Sequence, residues 1–138
     1  MKLIPVDKRK NAPEILYDLL LERDVSENIS HRHKPTFEQH LDFVFSNPYE
    51  AWYLIEVGDG MEGSLRVVGA VYITKARELG IFIFKSSRMK GYAKEALRII
   101  MHKHPGRFLA NINPANEKSI RLFGKLGFGL IQHTYELR

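Results

Sequence analysis

The feature that most constrains this chain is Arg88-Met89-Lys90-Gly91-Tyr92-Ala93, a basic turn with one glycine, set between two runs of different periodicity. The run before it, Glu78-Leu79-Gly80-Ile81-Phe82-Ile83-Phe84, alternates and is rich in β-prone residues. The run after it, from Ala93 to Met101, is built from strong helix formers. A strand that passes through a glycine into a helix start leaves backbone N–H groups unpaired at the positive end of the helix dipole. Such a place suits phosphate. A side chain at position 91 would hold the backbone away from the anion, which is why a glycine is needed there. Alone, this turn is a weak signal that an ordinary strand-to-helix connection would also give. A second element gives it weight: Asn113-Pro114-Ala115-Asn116-Glu117-Lys118-Ser119, running on to Phe123-Gly124-Lys125-Leu126-Gly127-Phe128.

The 138 residues are expected to form one domain, 1–138, long enough to bury its own core. Lys2 to Val6 reads as a first strand. Pro13 opens a helix that carries Ile15, Leu16, Leu19 and Leu20 on one face. Residues 26–35 are polar and loop-like. Thr36-Phe37-Glu38-Gln39 is a capping-box pattern that starts a second helix, expected to bury Phe37, Leu41, Val44 and Phe45. Strands are expected over 50–57, 65–74 and 78–84, a helix from 91 to about 103, and a buried strand over 107–112. A helix over 116–126 and a last strand over 128–137 complete the order β-α-α-β-β-β-α-β-α-β. This is an α/β chain with a mixed sheet and helices on both faces.

A net charge of +5 favours anionic partners, and the cluster Lys85, Arg88, Lys90 and Lys94 suits a small polyanion better than a nucleic-acid track. The chain has no cysteine, which excludes disulfides, thiolate metal sites and a cysteine nucleophile. No stretch approaches the ~20 apolar residues of a membrane span. Met1 to Asp7 lacks a signal-peptide core, so a cytoplasmic protein with no membrane partner is expected. His31-Arg32-His33 and His102-Lys103-His104 resemble metal sites only superficially, since no carboxylate stands at ligand spacing. No metal is expected.

The chain resembles the GCN5-related N-acetyltransferase (GNAT) family. The family's signature of Gln or Arg, two residues, Gly, one residue, Gly or Ala is met by Arg88, Gly91 and Ala93. Its later pattern is met by Asn116, Ser119, Lys125, Gly127 and Phe128, but Phe123 stands where a tyrosine is common. The resemblance implies the GNAT acyl-CoA N-acyltransferase fold with splayed central strands, and acetyl-CoA as acetyl donor. It implies cofactor contacts from Phe82, Ile83 and Phe84 of the signature strand and from Arg88, Met89, Lys90, Gly91, Tyr92 and Ala93 of the turn. Asn116, Ser119 and Phe123 would complete them. Asn116 also reads as a helix N-cap, and the two roles are compatible.

The implied reaction moves an acetyl group from the thioester to a primary amine. An amine of pKa ~10.4 is protonated at neutral pH, so a base is needed. Glu78 is the candidate, at the position where many family members carry a catalytic glutamate; the alternative is a surface carboxylate balanced by Arg77 or Lys75. A strand N–H around Phe82 or Ile83 would meet the oxyanion. Phe123 cannot protonate the leaving thiolate. Three readings stay open: the thiolate, with a pKa near ~8.5 as a free thiol, leaves unaided; Tyr92, Tyr72 or water supplies the proton; or the chain binds acetyl-CoA and catalyses poorly.

The segment from Asn28 to Leu41 is similar to the same region of family members that acetylate nucleotide-linked amino sugars, with His31, Arg32 and His33 as acceptor contacts. Acetylation of protein or peptide N-termini, and a non-catalytic acyl-CoA-binding module, are the alternatives. Polyamines are disfavoured because a cationic loop repels them. The partner expected is a small-molecule amine rather than nucleic acid, and the chain is expected to be a monomer or homodimer.

Overall fold

The computed structural model describes residues 1–23, 34–58, 60 and 63–138. Its elements in chain order are β1 (Lys2–Pro5), α1 (Ala12–Leu21), α2 (Phe37–Phe45), β2 (Tyr49–Gly58), β3 (Leu65–Thr74) and β4 (Glu78–Ile83). Then follow α3 (Tyr92–Lys103), β5 (Leu109–Ala110) and α4 (Glu117–Lys125). The strands form one sheet in the order β1-β2-β3-β4-β5, antiparallel except for the parallel pair β4–β5. This is the mixed α/β sheet that the alternation of strand and helix patterns implies.

Period-2 alternation in β2, β3 and β4 sends side chains to two faces, and each face acquires its own core. On one side Ile55, Val71, Ile73, Leu79 and Ile83 pack with Leu97 and Ile100 of α3 and Phe123 of α4. On the other, Leu54 and Ala70 pack with Leu16 and Leu19 of α1 and Val44 of α2. Leu54, Ile55, Ile73, Leu97 and Ile100 are fully buried. Each such aliphatic side chain stabilises the fold by about 1.5–3 kcal/mol relative to its exposed state.

The capping box at α2 is present in full: the Gln39 N–H donates to Thr36 Oγ1 at 3.2 Å, and the Thr36 N–H donates to Gln39 Oε1 at 2.9 Å. The expected face of α2 is borne out in part: Val44 is buried and Leu41 half-buried, but Phe37 and Phe45 are exposed, Phe45 by 75%, and His40 is buried instead. A tertiary bond holds this rotation. The Nε2–H of His40 donates to the Pro13 carbonyl of α1 at 2.9 Å, which fixes the rotation of the helix.

Two strand expectations also need correction. The strand over 107–112 shortens to Leu109–Ala110, paired with Glu78 and Leu79. The last strand, over 128–137, does not form. Residues 129–138 are exposed, Leu130, Ile131, Tyr135 and Leu137 among them. An alternating run becomes a strand only beside an edge that can accept its hydrogen bonds, and two residues of β5 offer almost none. Among the described residues, no helix is long and apolar enough to cross a membrane.

The turn between β3 and β4 is held by Arg77, a non-glycine residue at φ 68°. Its guanidinium donates to the carbonyls of Arg107 at 2.9 Å and His104 at 2.7 Å, and pairs with Glu50 at 3.0 Å. The segment after α3 is thereby tied to the start of β4, and β5 is placed beside it.

Candidate active site

The site begins where β4 and β5 part. The two strands pair only at Glu78–Leu109 and Leu79–Ala110. Beyond those pairs, Gly80 to Ile83 loses its neighbour, and its backbone edge faces a crevice. Two cavities open there, of about 520 Å³ and about 450 Å³, and Ile81, Phe82, Asn116 and Ser119 line both. The two cavities adjoin at these four residues, beside the free edge of β4.

The smaller cavity runs to the helix start anticipated from the sequence. A 3-10 turn at Lys85–Ser87 leads from β4 into Arg88, whose Nε–H donates back to the Ile83 carbonyl at 3.1 Å. Gly91 then sits at φ 79° as the N-cap of α3, and no side chain caps that helix. A Cβ built on Gly91 meets nothing within 4 Å. The left-handed turn therefore opens on empty space that the first N–H groups of α3 face, a geometry that fits a diphosphate. Ile83, Arg88, Met89, Gly91, Tyr92 and Ala93 line this cavity with Asn116 and Ser119.

Of the other expected cofactor contacts, Phe123 lines the larger cavity and is 4% exposed, its ring edge-on to Phe128 at 5.2 Å. Phe84 packs instead with the α1–α2 cluster, and Lys90 stands exposed in the turn. Asn116 is a helix cap as expected: its Oδ1 accepts from the Ser119 N–H at 3.2 Å. The α4 cations Lys118, Arg121 and Lys125 also line the smaller cavity. The sequence reading missed them, although their spacing of three and then four residues places all three on one helix face.

The larger cavity holds the candidate base. Glu78 and Phe123 both line it, as does Tyr72. Arg77 does not neutralise Glu78 there, since its guanidinium is engaged by Glu50 and two carbonyls. Of the two hydroxyls considered as replacements for the missing tyrosine, Tyr72 shares this cavity, whereas Tyr92 lines the other. Tyr72 is opposite Gly80 in the sheet register, and a Cβ on Gly80 would fall 2.0 Å from the Tyr72 Cζ. The ring thus lies across the glycine of the free strand.

Three further groups shape this wall. Burial pushes the Tyr49 phenol well up, with Tyr72 beside it adding to the shift, so Tyr49 stays neutral. Burial lowers the His40 pKa, partly offset by its bond to the Pro13 carbonyl. The Arg23 guanidinium lies over the Phe82 ring at 3.7 Å. His31, Arg32 and His33, the expected acceptor contacts, lie outside the described residues. Among the described residues, no group of three or more His, Asp or Glu side chains is placed to hold a metal ion.

A sheet that parts beside a glycine-opened helix start is the frame of the acyl-CoA N-acyltransferase fold. The chain matches the model of the acetyltransferase (GNAT) domain over residues 1–129, and it belongs to that family. The fold is similar to a domain from Methanocaldococcus jannaschii, with TM-score 0.80, 20% identity and coverage of 93% of this chain and 88% of that one. It is also similar to a spermidine N-acetyltransferase chimera from Vibrio cholerae, with TM-score 0.70, 16% identity and coverage of 96% and 84%. A Salmonella typhimurium structure that holds its cofactor acetyl-CoA matches with TM-score 0.63, 17% identity and coverage of 92% and 77%. No curated protein matches the sequence. The protein is an acetyltransferase, and its fold is one that uses acetyl-CoA.

Proposed function

We propose that residues 1–138 act as one catalytic unit in the cytoplasm, an N-acetyltransferase that moves an acetyl group from acetyl-CoA to a primary amine. The observation that carries this reading is the pair of cavities that share Ile81, Phe82, Asn116 and Ser119 where β4 and β5 part, one reaching the open Gly91 turn and the other Glu78. Bound acetyl-CoA would supply a thioester that accepts the amine at its carbonyl carbon and releases its sulfur as a thiolate. The N–H groups at the start of α3 and the cations Lys94, Lys118, Arg121 and Lys125 would hold its phosphates. The edge of β4 that β5 leaves open around Ile81 would pair with the pantetheine amides as an added strand does, since the Ile83 carbonyl already accepts from Arg88.

Glu78 acts as the base. An ammonium must lose one proton before it attacks and a second as the amide forms. Glu78 takes these, directly or through water, and returns them to solvent. One proton is then needed at the thiolate, and Tyr72, one of the hydroxyls that share the cavity with Phe123, would give it and regain one from solvent. The residues that would recognise a nucleotide-linked amino sugar, His31, Arg32 and His33, lie outside the described residues. The described wall offers one guanidinium, that of Arg23. On that wall the proposal is a primary amine, a peptide N-terminus among them.

Phe123 favours a second reading, a module that binds acetyl-CoA without turnover, because the buried ring carries no proton to give. Calorimetric titration with CoA and a thiol-release assay over a panel of amines separate the two. Saturable CoA binding with amine-dependent thiol release, cut on the order of 10²-fold in kcat by Glu78→Gln, supports the enzyme. CoA binding with no release on any amine supports the module. Absence of CoA binding removes both.

A further inference from the structure

On the α1–α2 face, a row of rings runs from solvent to the free strand. Phe43 of α2 forms the rim and is 43% exposed. Its ring meets Tyr49 edge-on at 5.7 Å and Trp52 at 6.0 Å. Tyr49 meets Trp52 at 4.8 Å and lies flat on Tyr72 at 4.0 Å, with only 6° between the planes. Trp52, Tyr72 and Gly80 face one another across three adjacent strands. Only a glycine at position 80 lets the Tyr72 ring lie there. All four rings line the larger cavity together with Glu78.

The charges on this wall are few. Glu78 is its single carboxylate among the described residues, and Arg23 its single guanidinium, already stacked on Phe82 at 3.7 Å. His40 spends its Nε2–H on the Pro13 carbonyl. Among the described residues, an acceptor with two or three ammonium groups would find one carboxylate, and a nucleotide diphosphate one guanidinium. On that part of the wall each surplus charge would lose water without gaining a partner. Neutral π faces beside one carboxylate instead match one ammonium on a flat apolar carrier.

We propose that the acceptor is an arylalkylamine, with its ring among Phe43, Tyr49, Trp52 and Tyr72 and its nitrogen at Glu78. The inference rests on the N-acetyltransferase reading, and names the acceptor class for that cavity. The rings set which amine enters; Glu78 serves any amine that does.

Trp52 is the only tryptophan of the chain, so its emission reports on this cavity. The full chain, saturated with CoA, is titrated with 2-phenylethylamine, n-butylamine, spermidine and a uridine-diphosphate amino sugar. The expected result is a saturable change of emission with 2-phenylethylamine at concentrations at least about tenfold below those needed for the other three. In the thiol-release assay, Tyr72→Ala and the rim variant Phe43→Ala should each lower the ratio of kcat/KM for 2-phenylethylamine over n-butylamine. Phe43→Ala keeps the test open if Tyr72→Ala does not fold, since Phe43 is half exposed. Spermidine or the nucleotide sugar binding as tightly as 2-phenylethylamine, or ratios unchanged in both variants, would overturn the inference. A chain that binds CoA by calorimetry but is silent to 2-phenylethylamine loses this inference alone. A chain that does not bind CoA loses the acetyltransferase reading as well.

Discussion

At the scale of single residues, Gly91 separates stability from function. Its φ of 79° is one that an L side chain adopts at a cost of about 1–2 kcal/mol, yet its Cβ would touch nothing in the protein itself. The added methyl would project into the space proposed for the diphosphate. Gly91→Ala is therefore expected to lower stability by about 1 kcal/mol and to weaken CoA binding by roughly tenfold or more. Urea unfolding and calorimetry read the two effects separately. Equal CoA affinity in the variant would mean that the phosphate does not lie at this turn. The glycine turn into α3 was legible in the sequence, because a Gly stands between a period-2 run and a helix-forming run, and the structure places it there as the left-handed N-cap. The role of Gly80 was not, because Tyr72 reaches it across the sheet and nothing in the local sequence records the contact.

At the scale of elements, α2 shows a pattern only partly kept. Helical spacing made Phe37, Leu41, Val44 and Phe45 candidates for the core; Val44 is buried, but Phe37 and Phe45 face outward and His40, bonded to the Pro13 carbonyl, is buried instead. That buried imidazole carries a pH dependence. Its pKa in the folded chain lies below the ordinary 6.5, first because of burial. In the unfolded chain it takes up its proton at the higher pH, so its contribution is intact above about 6.5 and drains as pH falls below that value. Urea midpoints compared at neutral and mildly acid pH should fall further in the natural chain than in His40→Asn. Parallel losses would assign the acid sensitivity elsewhere.

The C-terminal segment makes the opposite point. Its alternation is strand-like, yet with no edge to join it packs little, apart from Phe128 against Phe123. Deleting residues 129–138 is expected to change the unfolding free energy by no more than about 0.5 kcal/mol, as for other surface changes. A loss of several times that in urea unfolding would show that the segment adds substantially to the stability of the fold.

At the scale of the whole molecule, the net charge of +5 acquires a location. Lys94 of α3 and Lys118, Arg121 and Lys125 of α4 converge on the cavity beside the Gly91 turn, far apart in sequence but adjacent in space. Charges at such a rim are screened by salt. Raising ionic strength from about 0.05 M to about 0.5 M should weaken CoA by roughly an order of magnitude, and dephospho-CoA, with one phosphate fewer, by less. Calorimetry at the two salt levels is the check, and equal losses for both ligands would place these cations away from the ribose phosphate. The sequence by itself determined most of the element types, the capping box at Thr36, the glycine turn into α3 and the family resemblance, because all of these are written in short-range periodicity and spacing. Only the tertiary structure decided how soon β4 and β5 part, which face α2 buries, and which rings stand beside Glu78. Those depend on contacts between residues tens of positions apart, whose energies no local run of sequence contains.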